Sequence, residues 1–359
     1  MTRQAIHGLS NADLAERAKA VLPRGHGVAR RIHRQVMHEG RFEPECFGLG
    51  TEAARAWRSE FSFELPALVS VQSDEGDYGA TSKMVLRLQD GLEVESVRIP
   101  MGRGRYTLCI SSQVGCKMGC GFCETGRMGL LRQLRTEEII AQLLVARHQL
   151  GWRIRNIVFM GMGEALDNPE NVLQALRVLN DEAGLAIGQE RLTICTVGHV
   201  EGIRMLDQLG FKRLNLSISL NAARDSLRNE LMPINRRTDL AELQKALTAY
   251  RPRRNFALGV NYCLLPGIND GEADARDVAA FCKPLDRVLV NLIPYNPGSK
   301  PLTRAPEDAE VERFIGWLRA EGLPVRERVT KGRSVMAACG QLGNPAAREE
   351  RRSLKTLRA

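Results

Sequence analysis

Cys116, Cys120 and Cys123 stand in the spacing C-x3-C-x2-C within a glycine-rich stretch, CISSQVGCKMGCGFCETGRMG. A fourth thiol, Cys109, lies seven residues before the first, so four of the nine cysteines fall within fifteen residues. Soft sulfur ligands select iron–sulfur clusters or zinc over hard cations. A four-iron cube usually takes four cysteines. Held by three, it keeps one iron open, and an open position is what makes a metal centre reactive. Zinc held by three cysteines and a histidine is the competing chemistry. It needs a nearby histidine, and the closest downstream is His148, inside an expected helix. The second paired knuckle usual in zinc ribbons is missing, so the spacing favours the three-thiolate cluster.

Other residues offer chemistry only in context. Gly161, Gly163 and Glu164 in NIVFMGMGEAL end an expected strand. Glycines there admit a close backbone approach and a carboxylate can accept from an ammonium group, although a tight strand–helix turn explains them equally well. In LNLSISLN, Leu214, Leu216, Ile218 and Leu220 alternate with Asn215, Ser217, Ser219 and Asn221. The apolar set should face helices, and the polar set a lumen where it needs partners. Cys195 in LTICTVG and Asn296 in YNPG are open between structural and binding roles, and Cys263 and Cys282 are expected in the core. Cys339, alone in MAACGQLG, reads from spacing as structural.

The elements that must position these residues follow from periodicity. Residues 1–65 read as a helical accessory domain, with a Ser or Asn cap before NADLAERAKAVL and a second helix in HGVARRIHRQVMHEG stopped by its glycine. Residues 66–104 read as a β linker holding a hairpin that turns at Asp90-Gly91. In its second strand the apolar face switches between Val94 and Val97, which predicts a bulge near Glu95-Ser96. From 105 to 345 six strands, YTLCISSQV, NIVFM, LTICTV, LNLSISL, FALGVNYCLL and VLVNLIPY, alternate with helical segments. The expected fold is α/β, a partial (βα)6 barrel with its chemistry at the carboxyl ends of the strands. Residues 346–359 form a basic tail with five basic residues against two acidic.

The formal net charge is +9, with basic groups recurring at Arg30-Arg31, Lys212-Arg213, Arg236-Arg237 and Lys331-Gly-Arg333. Such a surface suits a polyanion, although a solvated basic surface has the same composition. Aromatic residues make up 5%, too few for a broad base-stacking platform. No apolar run approaches a membrane span, and MTRQAIHGLS lacks a secretory core, so a reducing cytosol is expected.

With Phe122 before its last cysteine, the C-x3-C-x2-C motif resembles the radical S-adenosylmethionine (SAM) superfamily. The longer stretch CISSQVGC resembles the RlmN/Cfr family of RNA adenine methyltransferases. The likeness continues in order through GMGEALDN (161–168), SLN (219–221), LMPIN (231–235), LLPGIND (264–270), VNLIPYNP (290–297) and AACGQL (337–342). It implies a radical-SAM barrel with a 4Fe–4S cluster on Cys116, Cys120 and Cys123, and SAM on the open iron. Gly163 and Glu164 would meet the SAM amino group; Cys195, Ser219, Leu220, Asn221 and Asn296 would be further SAM contacts. Cys339 would be methylated on sulfur by one SAM and lose a hydrogen atom to the radical made from a second. The carbon radical would add to an adenine ring carbon, carbon 2 before carbon 8. Glu95 would remove the ring proton, and Cys109 would resolve the protein–RNA link by a disulfide with Cys339.

The implied substrate is ribosomal RNA, with transfer RNA open as a second, and the implied partner an electron donor such as flavodoxin, the enzyme acting as a monomer without a membrane. Three residues depart from the family pattern: Asn221 replaces histidine, Cys195 replaces serine, and Glu124 stands where alanine is usual. They leave open a radical-SAM enzyme with another substrate. From another class, a non-enzymatic metal-containing RNA-binding protein would need neither Cys109 nor Cys339.

Overall fold

A computed structural model describes residues 3–250 and 253–343, and all counts of elements refer to these. The basic tail expected at 346–359 lies outside the described residues. The alternation read from residue 105 becomes one sheet whose ten strands lie side by side in chain order. These are β1 (Ala67–Asp74), β2 (Thr81–Arg87), β3 (Glu93–Pro100), β4 (Tyr106–Cys109), β5 (Asn156–Phe159), β6 (Leu192–Thr196), β7 (Asn215–Ser219), β8 (Leu258–Leu264), β9 (Val288–Pro294) and β10 (Val325–Glu327). Strands β1 to β4 pair antiparallel and β4 to β10 pair parallel. The two end strands do not meet, so the barrel is open.

Six helices join the parallel strands: α4 (Thr136–His148), α5 (Pro169–Asn180), α6 (Val200–Gln208), α7 (Leu240–Ala249), α8 (Glu272–Cys282) and α9 (Asp308–Ala320). They cover the outer face, where Leu214, Leu216, Ile218 and Leu220 of the β7 region are each at most 2% exposed. Full burial of each such side chain contributes roughly 1.5–3 kcal/mol. The inner face carries Ser217, Ser219 and Asn221 as the alternation requires. Six of the seven parallel strands were legible; β10 was not, being three residues of mixed charge at an edge.

Before the sheet, three helices, α1 (Asn11–Val21), α2 (Ala29–Glu39) and α3 (Thr51–Glu60), pack on a separate apolar cluster that includes Ile6, Leu14, Ile32, Val36, Trp57 and Phe61. Ser10 caps α1 in a capping box with Asp13. Gly40 ends α2 with φ 66°, a left-handed conformation suited to glycine.

The hairpin turns at Asp90-Gly91, where Leu88 and Leu92 close the loop. The expected bulge at Glu95-Ser96 is absent, because β3 pairs in unbroken register with β2, Val85 opposite Glu95 and Met84 opposite Ser96. The apolar pattern changes phase because both faces of β3 are covered. Val94 and the fully buried Ser96 share one face, where Ser96 Oγ donates to Gln142 of α4 at 2.6 Å. Val97, on the other face, is also buried.

Candidate active site

The segment after β4 is shaped by a short antiparallel pair, Gln113–Val114 with Arg132–Gln133, which brackets the three-cysteine loop. Within it the Cys123 N–H donates to the Cys120 carbonyl, and Gly121 N–H donates to Leu231 of the β7–α7 connection. Cys116, Cys120 and Cys123 all line one cavity at the carboxyl ends of the parallel strands. Its volume is about 170 Å³. Burial is the main cause holding each thiol protonated, Cys116 up to about 12 and Cys120 and Cys123 also raised. A bound cationic centre reverses that preference. Among the described residues no group of three or more His, Cys, Asp or Glu side chains is arranged around a single metal ion. The three thiols are soft donors on the wall of one cavity, a donor chemistry that fits an iron–sulfur cube.

The opposite walls come from the other strand ends: Gly161, Gly163 and Glu164 after β5, Cys195 to Val197 at β6, Ser219 and Asn221 at β7, and Asn261 and Cys263 on β8. Gly163 has φ 102°, and a Cβ there would lie 2.5 Å from Gln113 Cβ. Its glycine is therefore required by the neighbouring loop. Glu164 is 3% exposed; its carboxylate accepts from Leu166 N at 3.1 Å and Val197 N at 2.8 Å. Burial nevertheless lifts its pKa to about 7. Asn261, which sequence reasoning missed, donates to Cys195 Sγ at 3.2 Å and accepts from Asn291 at 3.0 Å. Its signal was an amide between outward-facing Val260 and Tyr262.

Cys263 is half-buried on the cavity wall and not in the core as expected, because the β8 alternation puts it on the inner face with Asn261. Cys282, in α8, is buried as expected. Two expected contacts lie off the wall. Leu220 faces the helices with only its backbone near the lumen, and Asn296 spends its amide on Arg333, at 3.1 Å, and on the Cys339 carbonyl, at 3.5 Å.

Cys339 is exposed and lines the same cavity as the three-cysteine loop. Cys109 is buried behind it at the end of β4, its thiol pushed up by burial and then by the Cys339 sulfur. Glu95, the third outlying candidate, accepts from Gly343 N at 2.9 Å and lies 3.5 Å from Lys83 Nζ. Lys83 also donates to the Met336 carbonyl at 3.4 Å. The segment around Cys339 is thus tied to both Glu95 and Lys83. Nothing in the local sequence of β2 marked Lys83. A separate hollow of about 710 Å³ beside the N-terminal helices includes Arg3 and Arg135, each bridged to glutamate, and contains no cysteine.

The model of the Radical SAM superfamily matches residues 110–279. A probable dual-specificity RNA methyltransferase RlmN 1 of Protochlamydia amoebophila is 47% identical over 74% of this chain and 74% of its own. A dual-specificity RNA methyltransferase RlmN of Syntrophotalea carbinolica is 40% identical over 80% of this chain and 78% of its own. A crystal structure of a radical SAM methyltransferase from Sphaerobacter thermophilus superposes with TM-score 0.85 at 34% identity, covering 94% of this chain and 99% of that one. The chain belongs to the RlmN/Cfr family. As a member it is a radical SAM RNA methyltransferase, which sets aside the non-enzymatic reading.

Against the RlmN/Cfr pattern, the three departures resolve differently. Asn221 has φ 57°, a left-handed conformation that asparagine tolerates, and its Oδ1 accepts from Cys263 N at 2.9 Å. Cys195 sits 3.6 Å from Ser219 Oγ on the wall, a sulfur where an oxygen is usual. Glu124 is 3% exposed and does not line the cavity. Its carboxylate pairs with Arg127 and accepts from Ser299 N at 2.6 Å and Ser299 Oγ at 3.0 Å. Arg127 also donates to the Lys300 carbonyl, and Glu124 N donates to Gly340 O at 2.8 Å. Glu124 therefore clamps the three-cysteine loop to the loop after β9 and to the Cys339 segment. Among the described residues, no helix is long and apolar enough to cross a membrane.

Proposed function

We propose that this enzyme methylates an adenosine ring carbon, carbon 2 before carbon 8, of ribosomal RNA, with transfer RNA as a second substrate, through a methyl group carried on Cys339. The observation that carries the reading is the convergence of Cys339 with Cys116, Cys120 and Cys123 on one cavity, from more than two hundred residues apart in the chain. The three loop thiols would hold a 4Fe–4S cluster, and SAM would lie against Glu164, Ser219 and Asn221. When bound, the cluster supplies the electron that cleaves SAM to a 5′-deoxyadenosyl radical.

The chain's own residues do the rest. Cys339 sulfur takes a methyl group from one SAM, losing its proton. The methyl gives up a hydrogen atom to the radical, and its carbon bonds to the adenine ring. Glu95, held in place by Lys83 and Gly343 N, takes the ring proton. Cys109 sulfur would then bond to Cys339 sulfur as the carbon–sulfur bond breaks, the Cys109 thiol proton completing the methyl group and the one electron left over from the radical addition returning to the oxidised cluster. The methylated RNA would leave behind a disulfide that two electrons from the donor, a flavodoxin-type protein, reduce. The exposed arginines of the N-terminal helices, in the unit assigned to 1–65, would hold the RNA backbone.

The test is Cys339→Ala in anaerobically purified protein, read by RNA mass spectrometry and iron content. Methyl transfer should vanish with iron unchanged. Full activity in this variant, or stoichiometric zinc without iron in the parent protein, overturns the reading.

A further inference from the structure

Arg228 is 1% exposed, on the short helix Asp225–Leu231 between β7 and α7. Its guanidinium makes four hydrogen bonds, all to neutral acceptors: Leu220 O (3.1 Å), Ser219 O (3.3 Å), Val197 O (2.6 Å) and Asn235 Oδ1 (2.6 Å). The carboxylate of Asp225 is reached only through the Asn235 amide, which donates to it at 2.7 Å. Moving an ion out of water costs several kcal/mol, and buried charges are ordinarily paired. Among the described residues, this one bonds to no carboxylate directly. Carbonyl oxygens satisfy its donors but leave its charge uncompensated.

The segment that follows Arg228 packs on the three-cysteine loop. Leu231 and Met232, which follow Arg228, pack in one apolar cluster with Cys116 and Cys120, and Leu231 accepts from Gly121 N at 3.1 Å. Val197 joins this arrangement to the cavity, since its carbonyl accepts from Arg228 while its N–H donates to Glu164.

We propose that Arg228 is a positioning residue whose buried charge balances the thiolates of the cluster loop and raises the cluster's reduction potential. The inference rests on the cluster reading above. Three thiolates on a four-iron cube carrying two positive charges leave one net negative charge, and one electron from the donor makes it two. A fixed cation stabilises the second state more than the first, so it favours reduction.

The experiment is a potentiometric titration of the anaerobic holoenzyme, following the electron paramagnetic resonance signal of the reduced cluster. Arg228→Gln should lower the midpoint, and the ratio of reduced to oxidised cluster at a fixed potential should fall by on the order of tenfold, as expected for a nearby unit charge at an effective dielectric near 20. Arg228→Lys keeps the charge without the fork and should stay near the parent. Asp225→Asn removes the carboxylate that is bonded to the Asn235 amide and should shift the midpoint the opposite way, which decides the matter if Arg228→Gln loses its cluster. Unshifted midpoints in Gln and Asn variants, or equal shifts in Gln and Lys, overturn the role of charge. A parent protein without an iron signal instead sinks the cluster reading itself.

Discussion

Glu164 pairs a fully buried carboxyl with two backbone donors, and its pKa of about 7 has two consequences. In the ligand-free protein the folded state keeps a proton that the unfolded chain releases near its ordinary 4.5. That contribution is fully present below 4.5 and is lost as pH rises to about 7. The whole term is about 3 kcal/mol. Denaturant unfolding at pH 5 and pH 8 should show the slope, and Glu164→Gln should remove it. With Glu164 in its proposed place at the SAM amino group, SAM binding should run the other way, because an ammonium group needs the carboxylate. Its affinity, by calorimetry, should weaken by up to about tenfold per unit below pH 7. The sequence showed Glu164 through GMGE at a strand end. It could not show Arg228 or Lys83, whose partners lie on segments distant in sequence and whose own neighbours carry no pattern.

Among the elements, α2 turns Arg30, Arg31 and Arg34 to solvent while Ile32, His33, Val36 and Met37 are buried. Replacing the three arginines by glutamine should weaken RNA binding with little effect on SAM cleavage. The log–log salt dependence of RNA affinity should flatten by roughly 0.7–0.9 for each phosphate that is no longer neutralised. An unchanged slope would place the RNA elsewhere. Periodicity exposed the parallel strands because each has an apolar face against helices. It failed at β3, where both faces are covered and polar Ser96 is buried against Gln142, so a regular strand looked bulged.

Across the whole molecule, the N-terminal helices have their own apolar cluster and dock on the sheet unit through hydrogen bonds such as Asn11 N–H to Asp181 at 2.5 Å. Trp57 is fully buried in that cluster, so Trp57→Ala should cost roughly 3–5 kcal/mol there. Thermal unfolding should gain an early transition and RNA affinity should fall, while the absorbance of the iron centre persists. Loss of that absorbance at the early transition would show the two units melting together.

The Glu124 clamp makes distant parts of the chain interchangeable only as a set. A Cβ at Gly298 would collide with the Glu124 carboxylate, so Gly298→Ala alone should distort the loop after β9. Paired with Glu124→Ala, the same change should be far milder, and the coupling energy measures how firmly the two loops are keyed. In a hybrid enzyme, the cysteine loop of a relative with alanine at this position would have to arrive together with that relative's version of residues 298–300. Recombination between the two segments would break what each inherits from the other.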